Sequence, residues 1–267
     1  MTFASPVPLE YLDGTFYNDA ATTFYLSPDK LVADYSIVRY ERELELFKQH
    51  CPKGRVLDVG CSTGGFLFNL NRSSPDTYET WGTDVVLDAV EYAARQGIRV
   101  LSEDFLTHSP REGSFDAVTF WAVLEHLLEP RQFLVQAKNH LRSGGKCFVL
   151  VPNFRSLAIR LLGSKYRYIL PQHLNYFSRQ SLIALAGKDF EVIEVRTMHF
   201  NPIVILQDWR RGTDLVSDPE RATLLKRTNS MKSNPWLGPL KIIYRGLESM
   251  IARFELADNL VCVLRKR

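Results

Sequence analysis

The run Val56 to Leu67, VLDVGCSTGGFL, constrains this chain more than any other stretch. It reads as a buried strand (Val56, Leu57, Val59) that enters a glycine-rich turn and then opens a helix. Strand, tight turn and helix N-terminus in that order aim backbone N–H groups at a ligand, and the helix dipole adds a preference for negative charge. Asp58 closes the strand, where its carboxylate suits a cationic amine, so a bound amino acid fits the pairing. The spacing is D-x-G-x-S-x-G-G rather than the G-x-G-x-x-G of dinucleotide sites.

A chain of 267 residues, 45% hydrophobic, has enough apolar surface for one large core and an appended subdomain. Its 33 basic and 30 acidic residues leave a net charge of +3, too balanced to argue for nucleic acid by field alone. Cys51, Cys61, Cys147 and Cys262 are scattered without a C-x-x-C pair, which speaks for reduced thiols rather than a disulfide framework or a zinc site. The opening MTFASPVPLEYLDG has neither the basic nor the apolar region of a secretion signal, and no apolar run approaches the ~20 residues of a membrane span. A cytoplasmic setting is expected.

Residues 1–26 read as an irregular arm. Ser27-Pro28-Asp29 starts a helix expected to carry Leu31, Tyr35, Val38, Leu44 and Phe47 and to end near Cys51. After the turn, Phe66–Leu70 continue a helix, Thr80–Thr83 form a second strand that ends in Asp84, and Asp88–Arg95 form a helix stopped by Gly97. An acid closing the second strand of such a unit suits both hydroxyls of a ribose. Ile98–Leu101, Ser114–Phe120 and Lys146–Val151 read as the third, fourth and fifth strands, with a helix from Pro130 between the last two. Strand and helix alternating from Val56 to Asn153 predict a parallel sheet with helices on both faces. Phe154–Lys188 is an insert with Tyr166, Tyr168, His173, Tyr176 and a helix capped by Ser178. Glu191–Val195 is a sixth strand, residues 201–257 a second insert of two helical pieces, and Asn259–Leu264 a last strand.

The glycine turn resembles motif I of the class I S-adenosylmethionine (SAM) methyltransferases, with Ser62 where a glycine is more usual. The run FDAVTFWAVLEHLLEP…HLRSGGKCFVLVPN resembles the FD-x-(V/I)…LEHL…L-x-x-GG…PN signature of the small-molecule branch of that family. The resemblance implies an α/β, Rossmann-like sheet of seven strands, parallel except for an antiparallel last strand beside the sixth, with helices on both faces and helical inserts as a cap. It divides the chain into an arm with a cofactor-covering helix (1–54), a SAM-binding core (55–153), a cap insert (154–189), and the last two strands with their helical insert (190–267). It implies SAM as cofactor and S-adenosylhomocysteine as its product. The implied contacts are Asp58, Gly60, Cys61, Ser62 and Gly64 in the turn, Asp84 and Val85 after the second strand, and Asp104 and Phe105 at the adenine. Trp121 either lies beside the cofactor or fills core. Tyr40 or Arg42 meets the cofactor carboxylate, or else the ERELE stretch is a solvated face.

A methyl on sulfonium already has a good leaving group, so the protein's task is to align nucleophile, carbon and sulfur. A hydroxyl acceptor also needs its proton taken. His126, past the fourth strand, and His173, in the tyrosine-rich insert, are the candidate bases; the alternatives are helix packing for the first and loop ordering for the second. Relatives that hold a divalent metal use an E-x-x-E-H run. Ala122 stands at its first glutamate here, leaving Glu125 and Glu129, and no metal site is assigned. Tyr166, Tyr168 and Tyr176 line an acceptor pocket or form the insert's own small core. Trp236–Phe254 sets Leu237, Leu240, Ile243, Leu247, Met250, Ile251 and Phe254 at helical spacing, with Lys241, Arg245 and Arg253 around them. That pattern fits a core helix or peripheral membrane contact.

The leading expectation is a SAM-dependent methyltransferase of a small molecule, acting on a hydroxyl of a sugar, natural-product intermediate or quinone-like lipid; an amine or carbon acceptor is the variant. A non-catalytic module of the same fold, binding a partner through its inserts, competes with it. An NAD-dependent oxidoreductase is disfavoured by the glycine spacing and by Asp104-Phe105. No basic patch with interleaved aromatics recommends RNA, and no nucleic-acid partner is expected.

Overall fold

The computed structural model describes residues 2–3, 15–101, 104–108, 114–211, 216–234, 236 and 238–267. Its first half runs β1 (Thr2–Phe3), α1 (Thr15–Ala20), α2 (Pro28–Asp34), α3 (Glu41–His50), β2 (Gly54–Val59), α4 (Gly65–Ser73), β3 (Tyr78–Thr83), α5 (Leu87–Arg95), β4 (Arg99–Val100), β5 (Phe115–Trp121), α6 (Pro130–His140) and β6 (Leu141–Pro152). The second half adds α7 (Leu157–Leu162), β7 (Asn175–Tyr176), α8 (Arg179–Ala186), β8 (Phe190–Met198), α9 (Pro202–Arg211), α10 (Asp218–Ser233), α11 (Gly238–Arg253) and β9 (Asn259–Lys266).

Seven strands pair in the order β4-β3-β2-β5-β6-β9-β8. The pairs from β4 to β6 are parallel, and β9 runs antiparallel between β6 and β8. This is the expected Rossmann-like sheet with its last strand inserted beside the sixth. Both faces are covered, which is why runs such as Val56-Leu57, Ala117-Val118 and Phe148–Val151 in its central strands are buried and apolar on both sides. Successive residues fall on opposite faces. Leu57, Val118, Val149 and Cys262 pack on one side with α6 and α8 residues, and Val56, Ala117, Phe148 and Val263 pack on the other with α3 and α4 residues. The four thiols are buried and unpaired.

Three expectations need correction. The helix read from Ser27 to Cys51 is two helices, because the last carbonyls of α2 are taken from outside. Ala33 O accepts from Asn229 Nδ2 (2.8 Å), and Asp34 O accepts from Asn69 Nδ2 (3.0 Å). The chain then turns through residues 35–40 before α3. The arm is ordered where it is described: β1 pairs antiparallel with β7, and α1 runs on into a π-helical turn, Ala21–Tyr25. Among the described residues, the stretch 201–257 holds three helices rather than two. Residues 4–14 of the arm, Leu237, and the side chains of Leu240 and Lys241 lie outside the described residues. No described helix is long and apolar enough to cross a membrane.

Candidate active site

The glycine turn leaves β2 at the carboxyl end of the sheet, beside the end of β3, and its backbone is tightly held. Gly60 N–H and Cys61 N–H both donate to Thr83 O (2.8 and 3.0 Å), and Gly64 N–H donates to Cys61 O (2.9 Å). The N–H groups expected to face a ligand are thus largely used inside the turn. Ser62 N–H serves the site indirectly, donating to Asp84 Oδ2 (2.7 Å) while Val86 N–H donates to Oδ1 (3.0 Å). Backbone donors therefore fix the Asp84 carboxylate at the end of β3. Burial pushes its pKa upward against those bonds. At Gly60 (φ 74°) a Cβ would lie 2.5 Å from Val123 Cγ2, so only glycine lets the turn approach that side chain. The side-chain hydroxyls of Ser62 and Thr63 are buried without a hydrogen-bond partner among the described residues.

Asp58 is buried, and Thr119 Oγ1 on neighbouring β5 donates to its Oδ1 (2.5 Å). Burial raises its pKa to about 7 against that hydrogen bond, and the charge of Asp84 adds to the rise. A cationic group arriving here would ionise it. The turn between α2 and α3 meets the glycine turn, where the Tyr35 hydroxyl donates to Thr63 O. Arg39 lies on the Tyr40 ring (5.0 Å), and its Nε is buried without a hydrogen bond among the described residues, 3.7 Å from Asp34 Oδ1. Of the two residues expected at the cofactor carboxylate, Tyr40 stays here. Arg42 instead donates to Glu248 in α11 (2.9 Å).

Past the carboxyl end of the edge strand β4, exposed Asp104 accepts from the N–H groups of Leu106 and Thr107 (2.8 and 3.2 Å), closing its own turn. Phe105, expected beside the adenine, is 4% exposed, with its ring stacked against His140 (5.0 Å) and Phe133 (5.8 Å) in the core. Val85 is exposed and Cys61 buried. Trp121 packs on Phe66 (5.0 Å), with Nε1 buried and unpartnered among the described residues.

Past Trp121 the backbone bends sharply. Ala122 takes φ 59°, uncommon for a residue with a Cβ, and a single 3₁₀ turn, Leu124–His126, follows. That turn brings His126 against His173, two residues far apart in the chain, with ring centroids 4.7 Å apart. His126 Nδ1 is 3.0 Å from Gln172 O, and His173 Nδ1 is 2.9 Å from Tyr168 O. Since a carbonyl only accepts, both rings carry their proton on Nδ1 and leave Nε2 with a free lone pair. Burial holds both neutral. It lowers the pKa of His173 to about 4 against the Tyr168 bond, and that of His126 to about 3, there helped by His173. Glu125, 1% exposed with Oε2 unpartnered among the described residues, completes the group, and burial raises its pKa to about 8. Donor atoms of Glu125, His126 and His173 lie within 4.8 Å of one another, an arrangement able to hold a metal ion.

Several contributors went unread in the sequence. Tyr17 of α1 meets the His126 ring edge-on (5.9 Å), and Tyr25 packs with Tyr17 against Val86 and Ala89, over the end of β3. The arm thus covers both ends of the site. Its aromatic content was the available signal, without a period to place it.

The chain is similar to known proteins in both sequence and fold. A family model described as a methyltransferase domain matches residues 35–195. A ubiquinone biosynthesis O-methyltransferase of Xanthomonas campestris is 30% identical over 183 residues, covering 63% of this chain and 73% of that one. An uncharacterized protein of Methanocaldococcus jannaschii is 29% identical over 116 residues, 43% of this chain, so the match spans about half (53%) of that relative's length. Among solved structures, a SAM-dependent methyltransferase from Thermotoga maritima aligns with a TM-score of 0.57 over 97% of this chain and 98% of its own. At 17% identity that likeness speaks for the fold alone.

Proposed function

The chain belongs to the methyltransferase-domain family and is a SAM-dependent methyltransferase, and from that premise we propose that it methylates a hydroxyl group of a small-molecule acceptor. The non-catalytic and dinucleotide readings fall with that assignment. The pocket's chemistry suits the cofactor. Asp84 offers a fixed carboxylate for a ribose, Asp58 an ionisable carboxyl for an ammonium, and Ser62 and Trp121 offer buried polar atoms in want of partners. Arg39 is the group we assign to the cofactor carboxylate, with Tyr40 beneath it. Asp104 serves the adenine amine, and exposed Val85 and Leu106 supply its apolar contact in place of Phe105.

When bound, SAM supplies an activated methyl on sulfur. The chain supplies alignment and a place for the acceptor's proton. The observation that carries the hydroxyl reading is the tautomer lock at His173, where Nδ1–H donates to Tyr168 O and Nε2 is left bare. Burial keeps that lone pair unprotonated across the working pH range. His173 Nε2 then takes the hydroxyl proton as the new bond forms, and Tyr168 O, which accepts from Nδ1–H, favours the charged ring. Such proton transfer is worth roughly 10²–10⁴-fold. His173→Gln is expected to lower kcat by about 10² or more in assays of labelled methyl transfer to hydroxyl acceptors, with S-adenosylhomocysteine affinity unchanged. Undiminished turnover would remove His173 from this role.

The donor set of Glu125, His126 and His173 favours a second reading, in which a divalent cation holds the acceptor oxygen. The carbonyl-anchored Nδ1 atoms are what metal-binding histidines use to orient Nε2. Binding would displace the Glu125 proton, so cation affinity would rise between pH 6 and 8. Full activity after exhaustive chelation would favour the metal-free reading.

A further inference from the structure

The cap helices are built inside out. α11 turns its one acid inward: Glu248 accepts from Arg42 (2.9 Å) and from the His199 N–H (3.0 Å), and beside it the Tyr244 hydroxyl donates to Phe200 O. Outward it shows Ile243, Leu247, Met250 and Phe254, a single stripe at helical spacing, 37–70% exposed. α9 repeats the inversion. Asp208 is buried against Arg167 (2.6 Å), whereas Ile203, Leu206 and Trp209 are 46–63% exposed. A soluble helix that buries its acid and exposes its apolar stripe has its packing reversed, and large exposed apolar surface marks an interaction site. α7 ties the two together. It clusters with Val204 and Ile205 of α9, and its first N–H, at Leu157, donates to Leu256 O just past α11 (2.8 Å).

Charge identifies what covers this surface. Arg155 and Arg160 at α7 and Arg253 at the end of α11 are exposed and form no ion pair among the described residues. α11 shows no outward acid to meet them in a second copy of the chain, and the exposed Glu255 just past it is paired with Arg179 (2.8 Å). We infer that α9 and α11 seat this protein on an anionic lipid bilayer surface, apolar stripes at the boundary of headgroups and acyl chains and the three arginines against lipid anions. Interfacial helices combine these features, and each arginine near such a surface strengthens the attraction. The inference does not rest on which atom is methylated.

The test is co-sedimentation of the full chain with vesicles of phosphatidylcholine and phosphatidylserine in equal parts, and with phosphatidylcholine alone, beside sedimentation velocity without lipid. Binding is expected on the mixed vesicles. It should weaken by about tenfold or more in Ile243→Glu/Phe254→Glu, and by a similar factor in Arg155→Gln/Arg160→Gln/Arg253→Gln. All five side chains are already exposed, so both variants should keep their thermal midpoint and their affinity for S-adenosylhomocysteine. Equal vesicle binding by wild type and the glutamate pair would overturn the inference. So would a dimer that the glutamate pair dissolves, with no vesicle binding, which would give the surface to a second copy.

Discussion

Asp58 sets the behaviour of the site with pH. Empty, its carboxyl is held protonated up to about pH 7 by burial, so an arriving ammonium must ionise it. The sign follows directly: binding releases a proton, and affinity rises as pH climbs through that value. Between pH 6 and pH 8, S-adenosylhomocysteine should bind about tenfold more tightly at the higher pH, as one displaced proton dictates. Calorimetry in buffers of different ionisation heat reads the proton count directly, and a flat profile would remove Asp58 from the amine. Gly60 is a second single-residue test. Gly60→Ala must hold φ 74° with its methyl against Val123, which should destabilise the protein by about 1–3 kcal/mol in urea unfolding.

At the level of elements, the break between α2 and α3 carries the consequence. It exists because side-chain amides take the last carbonyls of α2, and the turn it opens carries Arg39 and Tyr40, proposed above for the cofactor carboxylate. Asn69 Nδ2 spans Asp34 O (3.0 Å) and Gly65 O (2.8 Å), joining that break to the helix that follows the glycine turn. Asn69→Ala should therefore cost about 1–3 kcal/mol of stability, the penalty for stranding buried carbonyls, and should loosen cofactor binding as well. Stability lost with affinity intact would show that the break does not position Arg39. The sequence carries a hint of the break but not its cause, since Leu31, Tyr35 and Val38 keep a helical spacing that the step to Leu44 interrupts. The competing partner, Asn229, lies in α10, far along the chain.

Across the whole molecule the same division holds. The sheet from Val56 to Asn153 could be read because each strand, turn and helix there announces itself locally, by apolar runs, glycines and caps. The inverted cap could not, since helical periodicity locates an apolar stripe without saying which way it faces, and the inward pull of Glu248 comes from Arg42 and His199. The placement of Asp58 and Asp84 at the ends of β2 and β3 was legible. Phe105 was read as a ligand contact, but a sequence does not show that Phe133 and His140 already cover its ring. The Glu125–His126–His173 group was half visible, as neighbours in one run and a lone histidine in another, and only the packing of insert on core joins them. The central claim is that the ends of β2 and β3 hold the cofactor, and calorimetric titration of the wild type and Asp84→Asn with S-adenosylhomocysteine tests it most directly. Micromolar binding, about −8 kcal/mol, weakened about tenfold or more by the substitution is the predicted result. Equal affinities, or no binding to either protein, would contradict it.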